Sequence, residues 1–523
     1  MTVTSLLDGR AVAPSGVAFR ATHAASGAPL DPEVYPAAPA DVERAVRLAQ
    51  AAAPVLAAAS GDTLGALLDR IADEIDADAD AIVARAHAET GLPEGRLRGE
   101  TGRTTGQLRL FAHEARRGTW RDVRIDRADP DRTPAPRPDL RSMRVPRGPV
   151  AVFGASNFPL AFSVAGGDTA SALAVGCPVV VKSHPAHPGT SILVGEAVAR
   201  AVAAVGLPAG TFGLLLDGGH DVGVALVRQP GVAAVGFTGS RRAGLALAAV
   251  AAARDVPIPV FAEMGSVNPV VVLGSALADG GGTDLAQALA ASVTLGAGQF
   301  CTCPGLVFVP EGTAGDAFVA ALAESLAATP PAPMLTPAHA DAYRNGVNHL
   351  GVEADLRVRV DAAGTSAGAA VAEVRGATFA ATPSLAEETF GPATLAVRTA
   401  THAELMALLG GLEGQLTATL HTAPEDPEAA AVLAALAARA GRVLVGGVPT
   451  GVEVNQAIVH GGPFPATSDG GSTSVGARAA ERWTRLVAYQ DAPDALLPPP
   501  LRDANPWGVP RLVDGAPESD GAA

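Results

Sequence analysis

Cysteine and lysine are almost missing from this chain, and aromatic residues are few. Its 523 residues hold three cysteines, Cys177, Cys301 and Cys303, too few to staple a chain of this length with disulfides. The one-residue spacing of Cys301 and Cys303 fits no zinc ribbon, so no metal site is expected. Of 38 basic residues, 37 are arginine, which leaves Lys182 as the sequence's single lysine. Only 20 residues are aromatic; alanine and 59 glycines dominate, and the mean residue is small. Positive charge is short as well: 38 basic against 53 acidic residues gives −15, which excludes nucleic acid or an anionic membrane as the principal partner. With 48% apolar and 17% charged residues, the chain is not disordered. No uninterrupted apolar run reaches the ~18 residues of a membrane span, and the opening MTVTSLLDGR lacks a charged head followed by an apolar core. The expectation is a soluble, cytoplasmic protein of two to four domains.

Residues 1–120 open with a short polar lead and then show helical spacing: a helix beginning near Ala40 with an acidic first turn, a second over Asp62 to Ala88, and a third from Gly95 to Ala115. Thr119 to Arg147 is rich in Arg, Asp and Pro, with short alternating pieces that predict an extended arm. From Pro149 the pattern alternates strand, turn and helix. Candidate strands are Pro149–Phe153, Pro178–Lys182, Phe212–Leu216, Ala233–Phe237 and Ile258–Ala262, which implies βαβ units and a parallel sheet buried on both faces. A second α/β block runs from about Asn268 to Val448. The stretch after Ala495 is rich in Pro, Gly and Asp and reads as a loosely ordered tail.

Five segments lie just after strands or in glycine-rich turns, where open α/β sheets bind ligands. Asn157 follows the first strand and can present an amide N–H to a developing oxyanion; an ordinary turn asparagine fits the same place. Lys182 ends the next strand on the same rim, directed at a phosphate or ribose hydroxyl. Gly239 and Ser240 open a helix whose free N–H groups suit pyrophosphate, although the Gly239-to-Gly244 spacing matches no standard phosphate loop. Glu263 ends a further strand as a carboxylate suited to proton transfer or to an ordinary ion pair. Cys301 lies in the Gly-rich run Gly296–Pro304 and is the better nucleophile candidate, whereas Cys177 reads as an inert core thiol.

In this order the motifs resemble the aldehyde dehydrogenase superfamily over roughly residues 5–490: Asn157, Lys182, Phe237-Thr238-Gly239-Ser240, Glu263-Met264-Gly265, Gly298-Gln299-Phe300-Cys301 and Glu388-Thr389-Phe390-Gly391-Pro392. The wording of Ser156–Leu160, Cys177–Pro185 and Arg103–Arg109 is similar to the branch of α-ketoglutaric semialdehyde and NADP-preferring fatty aldehyde dehydrogenases. The resemblance implies two open parallel-sheet, Rossmann-like α/β domains and a β-arm for oligomerisation. It implies a cofactor-binding domain from residues 1–120 and 149–260, a catalytic domain from 261–455, and an arm from 121–148 and 482–497 that forms a homodimer or homotetramer.

The implied chemistry runs through Cys301, which attacks the aldehyde, with Asn157 and the Cys301 N–H holding the oxyanion. Hydride leaves for the nicotinamide, and Glu263 activates water against the thioester. Cofactor contacts fall to Lys182, Ser183, His184, Gly239, Ser240, Gly244, Glu388 and Phe390. Many NAD-preferring relatives carry glutamate three residues after the lysine. Here that residue is Pro185, so NADP is expected ahead of NAD. Arg103, Phe158 and Phe464 are expected along the substrate tunnel, and either Arg103 or Arg109 would pair with a substrate carboxylate. An apolar tunnel with no buried cation would instead suit a fatty aldehyde. Transfer of the thioester to CoA, and a non-catalytic binding protein, are the rival readings.

Overall fold

The computed structural model describes residues 2–24 and 26–518. Val150–Phe153 and Val179–Lys182 are buried at every position, as strands covered by helices on both faces must be. They belong to a seven-stranded sheet ordered Val260–Glu263, Ala234–Thr238, Val150–Phe153, Val179–Lys182, Phe212–Leu215, Leu6–Leu7, Arg10–Ala11. The first five strands run parallel, and Leu6–Leu7 joins antiparallel. The chain leaves Val150–Phe153 toward one edge and later returns to its other side. That reversal opens a crevice beyond the carboxyl ends of Val150–Phe153 and Ala234–Thr238.

The second seven-stranded sheet is ordered Asp355–Arg359, Ala370–Arg375, Ala393–Thr399, Leu306–Pro310, Val270–Val272, Gln415–His421, Ala440–Val445, parallel apart from its first strand. Each sheet carries its own apolar core. Leu173, Val181 and Leu214 lie in one, and Phe308, Leu395 and Leu420 in the other.

Two expectations need correction. The helix expected over Asp62 to Ala88 is two helices, Gly61–Ala77 and Ala79–Thr90, parted at Asp78, which ends the first and precedes the second. The loosely ordered tail is folded as far as it is described. Arg511–Val513 pairs in parallel with Val123–Ile125, so the arm sheet has five strands: Thr484–Gln490, Leu140–Pro146, Val123–Asp126, Arg511–Val513 and Ala516–Pro517. Leu501 and Val509 are buried beside Val123 and Met143, and this apolar packing holds the Pro-rich segment in place. Residues 519–523 lie outside the described residues.

Among the described residues one helix, Pro188–Val205, has the length and composition to cross a membrane. It is mostly buried, packing in the first core through Val194, Ala197 and Ala201.

Candidate active site

The carboxyl ends of the first sheet bring several expected residues to one rim. In register, Leu215 pairs with Lys182, and Phe153 with both Lys182 and Phe237. Lys182 Nζ lies 3.5 Å from Asp217 Oδ2 and 3.1 Å from the Gly219 carbonyl. His184 packs against His187 with ring centroids 5.6 Å apart, and burial, helped by His187 and Lys182, drives its pKa well below the usual imidazole range. Ser240 caps the helix Arg241–Ala252, its hydroxyl accepting the Ala243 amide. The remaining first-turn amides point outward at the positive end of the helix dipole.

Ser183 is fully buried, and its hydroxyl has no hydrogen-bond partner. Two of the other predicted cofactor residues are also tied into the packing. The Gly239 amide donates to the Glu263 carbonyl at 3.0 Å. Gly244 is buried inside its helix, where a Cβ would come within 2.8 Å of the Met264 sulfur, so it serves close helix–sheet packing.

The loop that carries Cys301 is sharply folded. Gly296, Ala297 and Gly298 all take left-handed backbone angles, and a Cβ on Gly298 would meet the Gly391 carbonyl carbon at 2.2 Å. Asn268, buried and itself at φ 46°, donates from Nδ2 to the Cys301 and Cys303 carbonyls, both at 2.9 Å. Its Oδ1 accepts from Ser266 and Thr417. Asn157 Nδ2 donates to the Gln299 carbonyl at 3.1 Å, which places one amide hydrogen on the loop and leaves the second free.

Cys301 meets two groups from distant segments. Its Sγ is 3.4 Å from His460 Nε2, and that nitrogen is 2.9 Å from Glu263 Oε1. Ser474 donates to Glu263 Oε2 at 2.5 Å. A carboxylate only accepts, so Nε2 carries the imidazole proton and presents it to both Glu263 and the sulfur. Burial alone would raise the Glu263 pKa, but the bonds from His460, Ser474 and Cys301 outweigh it and hold the carboxyl below its ordinary value. Loss of solvent, with the Glu263 charge, pushes the Cys301 thiol well up, and Arg103 opposes them. For Cys303, burial, helped by the Glu388 charge, pushes the thiol up to about 12.

One wall beside the sulfur is aromatic, with Phe300, Phe158 and Phe162 packed edge to face in series and Phe162 reaching the His460 ring. Cations line the wall. Arg96 lies 4.5 Å from the Phe300 ring centre and donates to the Asn157 carbonyl, while Arg103 lies 5.7 Å over Phe162. Arg103 and Arg442 hold one loop from two sides, through the carbonyls of Val452 and of Pro449 and Gly451. Both are within electrostatic reach of Cys301. Each has a buried Nε without a hydrogen-bond partner. Arg109 is elsewhere, paired with Asp73 and Asp76 on the surface. Phe464 is 57% exposed with Arg241 over its ring, and the structure does not bring it to the aromatic wall.

The pattern of the aldehyde dehydrogenase family matches residues 21–486. The chain belongs to the aldehyde dehydrogenase family. It is 53% identical to an α-ketoglutaric semialdehyde dehydrogenase 2 of Azospirillum brasilense over 99% of this chain and 100% of that one. It is 46% identical to an α-ketoglutaric semialdehyde dehydrogenase of Acinetobacter baylyi over 86% of each. In fold it is similar to the crystal structure of aldehyde dehydrogenase 21 from Physcomitrella patens in complex with succinate, with a TM-score of 0.80, 21% identity, and cover of 94% of this chain and 98% of that one.

The aldehyde dehydrogenase rim fits a nicotinamide dinucleotide. It offers a capped helix N-terminus, a buried Asp217 carboxylate beside Lys182, and a cleft where Glu388 lies so close to Gly265 that a Cβ there would meet Oε2 at 2.4 Å. Phe390 lines the same cleft, with its ring 6.2 Å from that of His339.

The sequence reading passed over His460, Asn268, Arg96, Arg442 and Asp217. Only His460 left a readable sign, standing immediately before Gly461-Gly462-Pro463. Asn268→Ala should destabilise the protein by about 2–4 kcal/mol, since it strands two loop carbonyls and loses five hydrogen bonds around a buried site. Chemical denaturation would measure this, with a fall in kcat as the nucleophile loop loosens.

Proposed function

We propose that this aldehyde dehydrogenase oxidises α-ketoglutarate semialdehyde to 2-oxoglutarate with a nicotinamide dinucleotide, holding the carbon chain as an ester of Cys301. The supporting observation is the contact of Cys301 with the buried His460–Glu263 pair, in a cleft given positive charge by Arg103 and Arg442. The names of the two relatives favour the same substrate.

Glu263 draws the thiol proton, and the His460 Nε2 proton steadies the resulting thiolate. As sulfur adds to the aldehyde carbon, the free amide hydrogen of Asn157 and the Cys301 N–H meet the oxyanion, a contribution usually worth ~10²–10³ in rate. The cofactor, when bound, supplies the hydride acceptor. Glu263 passes the thiol proton to solvent and then takes a proton from water as the hydroxide enters the thioester carbon, and the acid departs with the Cys301 thiolate restored. Lys182 and Ser240 hold the dinucleotide, with Glu388 and Phe390 beside its nicotinamide end. The first sheet forms the cofactor-binding unit and the second the catalytic unit. Pro185 leaves room for a 2′-phosphate, the ground for NADP as well as NAD, and the Asp217 carboxylate beside Lys182 weighs against it.

The substrate carboxylate is placed against Arg103, with Arg442 reinforcing the charge. Arg103→Met should cost α-ketoglutarate semialdehyde about 10–100-fold more in kcat/KM than an uncharged aldehyde of equal length, the worth of one charge-assisted hydrogen bond. A steady-state panel of α-ketoglutarate semialdehyde, succinate semialdehyde, glutaraldehyde and long-chain aldehydes, with and without CoA, tests the whole reading. The keto-acid semialdehyde should lead and yield free acid. A preference for long-chain aldehydes, or CoA-dependent acyl-CoA, would overturn it. The arm supports a homodimer or homotetramer: Thr484–Gln490 is its edge strand, with Leu486 62% exposed.

A further inference from the structure

We infer that Asp217 makes this enzyme select NAD over NADP, by accepting a hydroxyl of the adenosine ribose and repelling a 2′-phosphate. The inference rests on the placing of that ribose at Lys182 and revises the expectation drawn from Pro185. Lys182 and Leu215 are register partners at the ends of adjacent parallel strands, so the turn after Leu215 brings Asp217 across to the lysine. The carboxylate is 5% exposed, and its two oxygens differ. Oδ1 accepts the Gly219 amide at 2.8 Å and closes the turn. Oδ2 faces Lys182 Nζ in a long contact of 3.5 Å.

One long contact leaves lone pairs of this buried carboxylate open, and a ribose hydroxyl supplies a donor for them. A 2′-phosphate at neutral pH offers none. Among the described residues, the basic groups near it are Lys182, His184 and the exposed His220. The lysine is already faced by Asp217, and His184, the other basic group expected there, is kept neutral by burial. The carboxylate missing three residues after the lysine, where Pro185 stands, is thus supplied from the neighbouring strand.

The test is calorimetric titration of the full chain with NAD⁺, NADP⁺, ADP and 2′,5′-ADP, which reads binding apart from turnover. Wild type should bind NAD⁺ at least about 30-fold more tightly than NADP⁺, and ADP more tightly than 2′,5′-ADP. Asp217→Asn keeps an oxygen for the Gly219 amide. It should shift the NAD⁺/NADP⁺ ratio toward NADP⁺ by at least about 30-fold, while Asp217→Glu should keep the wild-type order. Equal or tighter binding of NADP⁺ by wild type, or an unchanged ratio in Asp217→Asn, overturns the inference. If Asp217→Asn does not fold, the wild-type ratio alone decides. Selective NAD⁺ binding without oxidation of any aldehyde would sink the proposed function and uphold this one; no binding of either dinucleotide would sink both.

Discussion

Cys301→Ala should lower kcat/KM by at least about 10⁴-fold while dinucleotide binding persists, and Cys303→Ala should stay within about 3-fold of wild type. The two thiols are two residues apart, and only their surroundings separate them. Cys301 touches an imidazole that shares its proton with a carboxylate, and lies within the field of Arg103. The nearest polar atoms to the Cys303 sulfur are the Val293 and Gly391 carbonyls at 3.7 Å, which offer no stabilisation to a thiolate. Stopped-flow NAD(P)H formation and steady-state rates measure both effects. Loss of activity in Cys303→Ala with survival in Cys301→Ala would reverse the assignment.

The second large effect is expected at Glu263. Glu263→Gln cannot take a proton from water, so turnover should fall by about 10²–10⁴-fold. If the first half-reaction survives, one equivalent of reduced cofactor should appear in a burst and then stall. His460→Ala should act differently. Without the Nε2 proton beside the sulfur, the thiolate is harder to form, and the rising limb of the kcat/KM–pH profile should move to higher pH. His460→Gln, which retains an N–H donor, should recover part of the loss. A uniform drop at all pH values in His460→Ala would assign it to packing alone.

The placement of the site was legible because the chemistry sits at strand ends, and short all-apolar strands announce themselves. Val179-Val180-Val181-Lys182 could be assigned almost to the residue. Cys301 stood out for its glycines, which the structure explains through left-handed angles and the close approach to Gly391. His460 was hidden because its partner is 159 residues away, and only the packing of two loops brings them together. Asp217 was hidden for a related reason: a carboxylate is recognised by its spacing from the lysine along one strand, and this one crosses from the next. The final segment misled because Pro, Gly and Asp suggest disorder, while Leu501 and Val509, few but fully committed to the arm, hold it.

The most direct measurement is mass spectrometry of enzyme quenched during turnover of α-ketoglutarate semialdehyde, with fragmentation of the peptide that carries both Cys301 and Cys303. The account predicts a 2-oxoglutaryl mass on Cys301 of the wild-type enzyme. Acid formed with Cys301 unmodified throughout, or the acyl group found on Cys303, would contradict it.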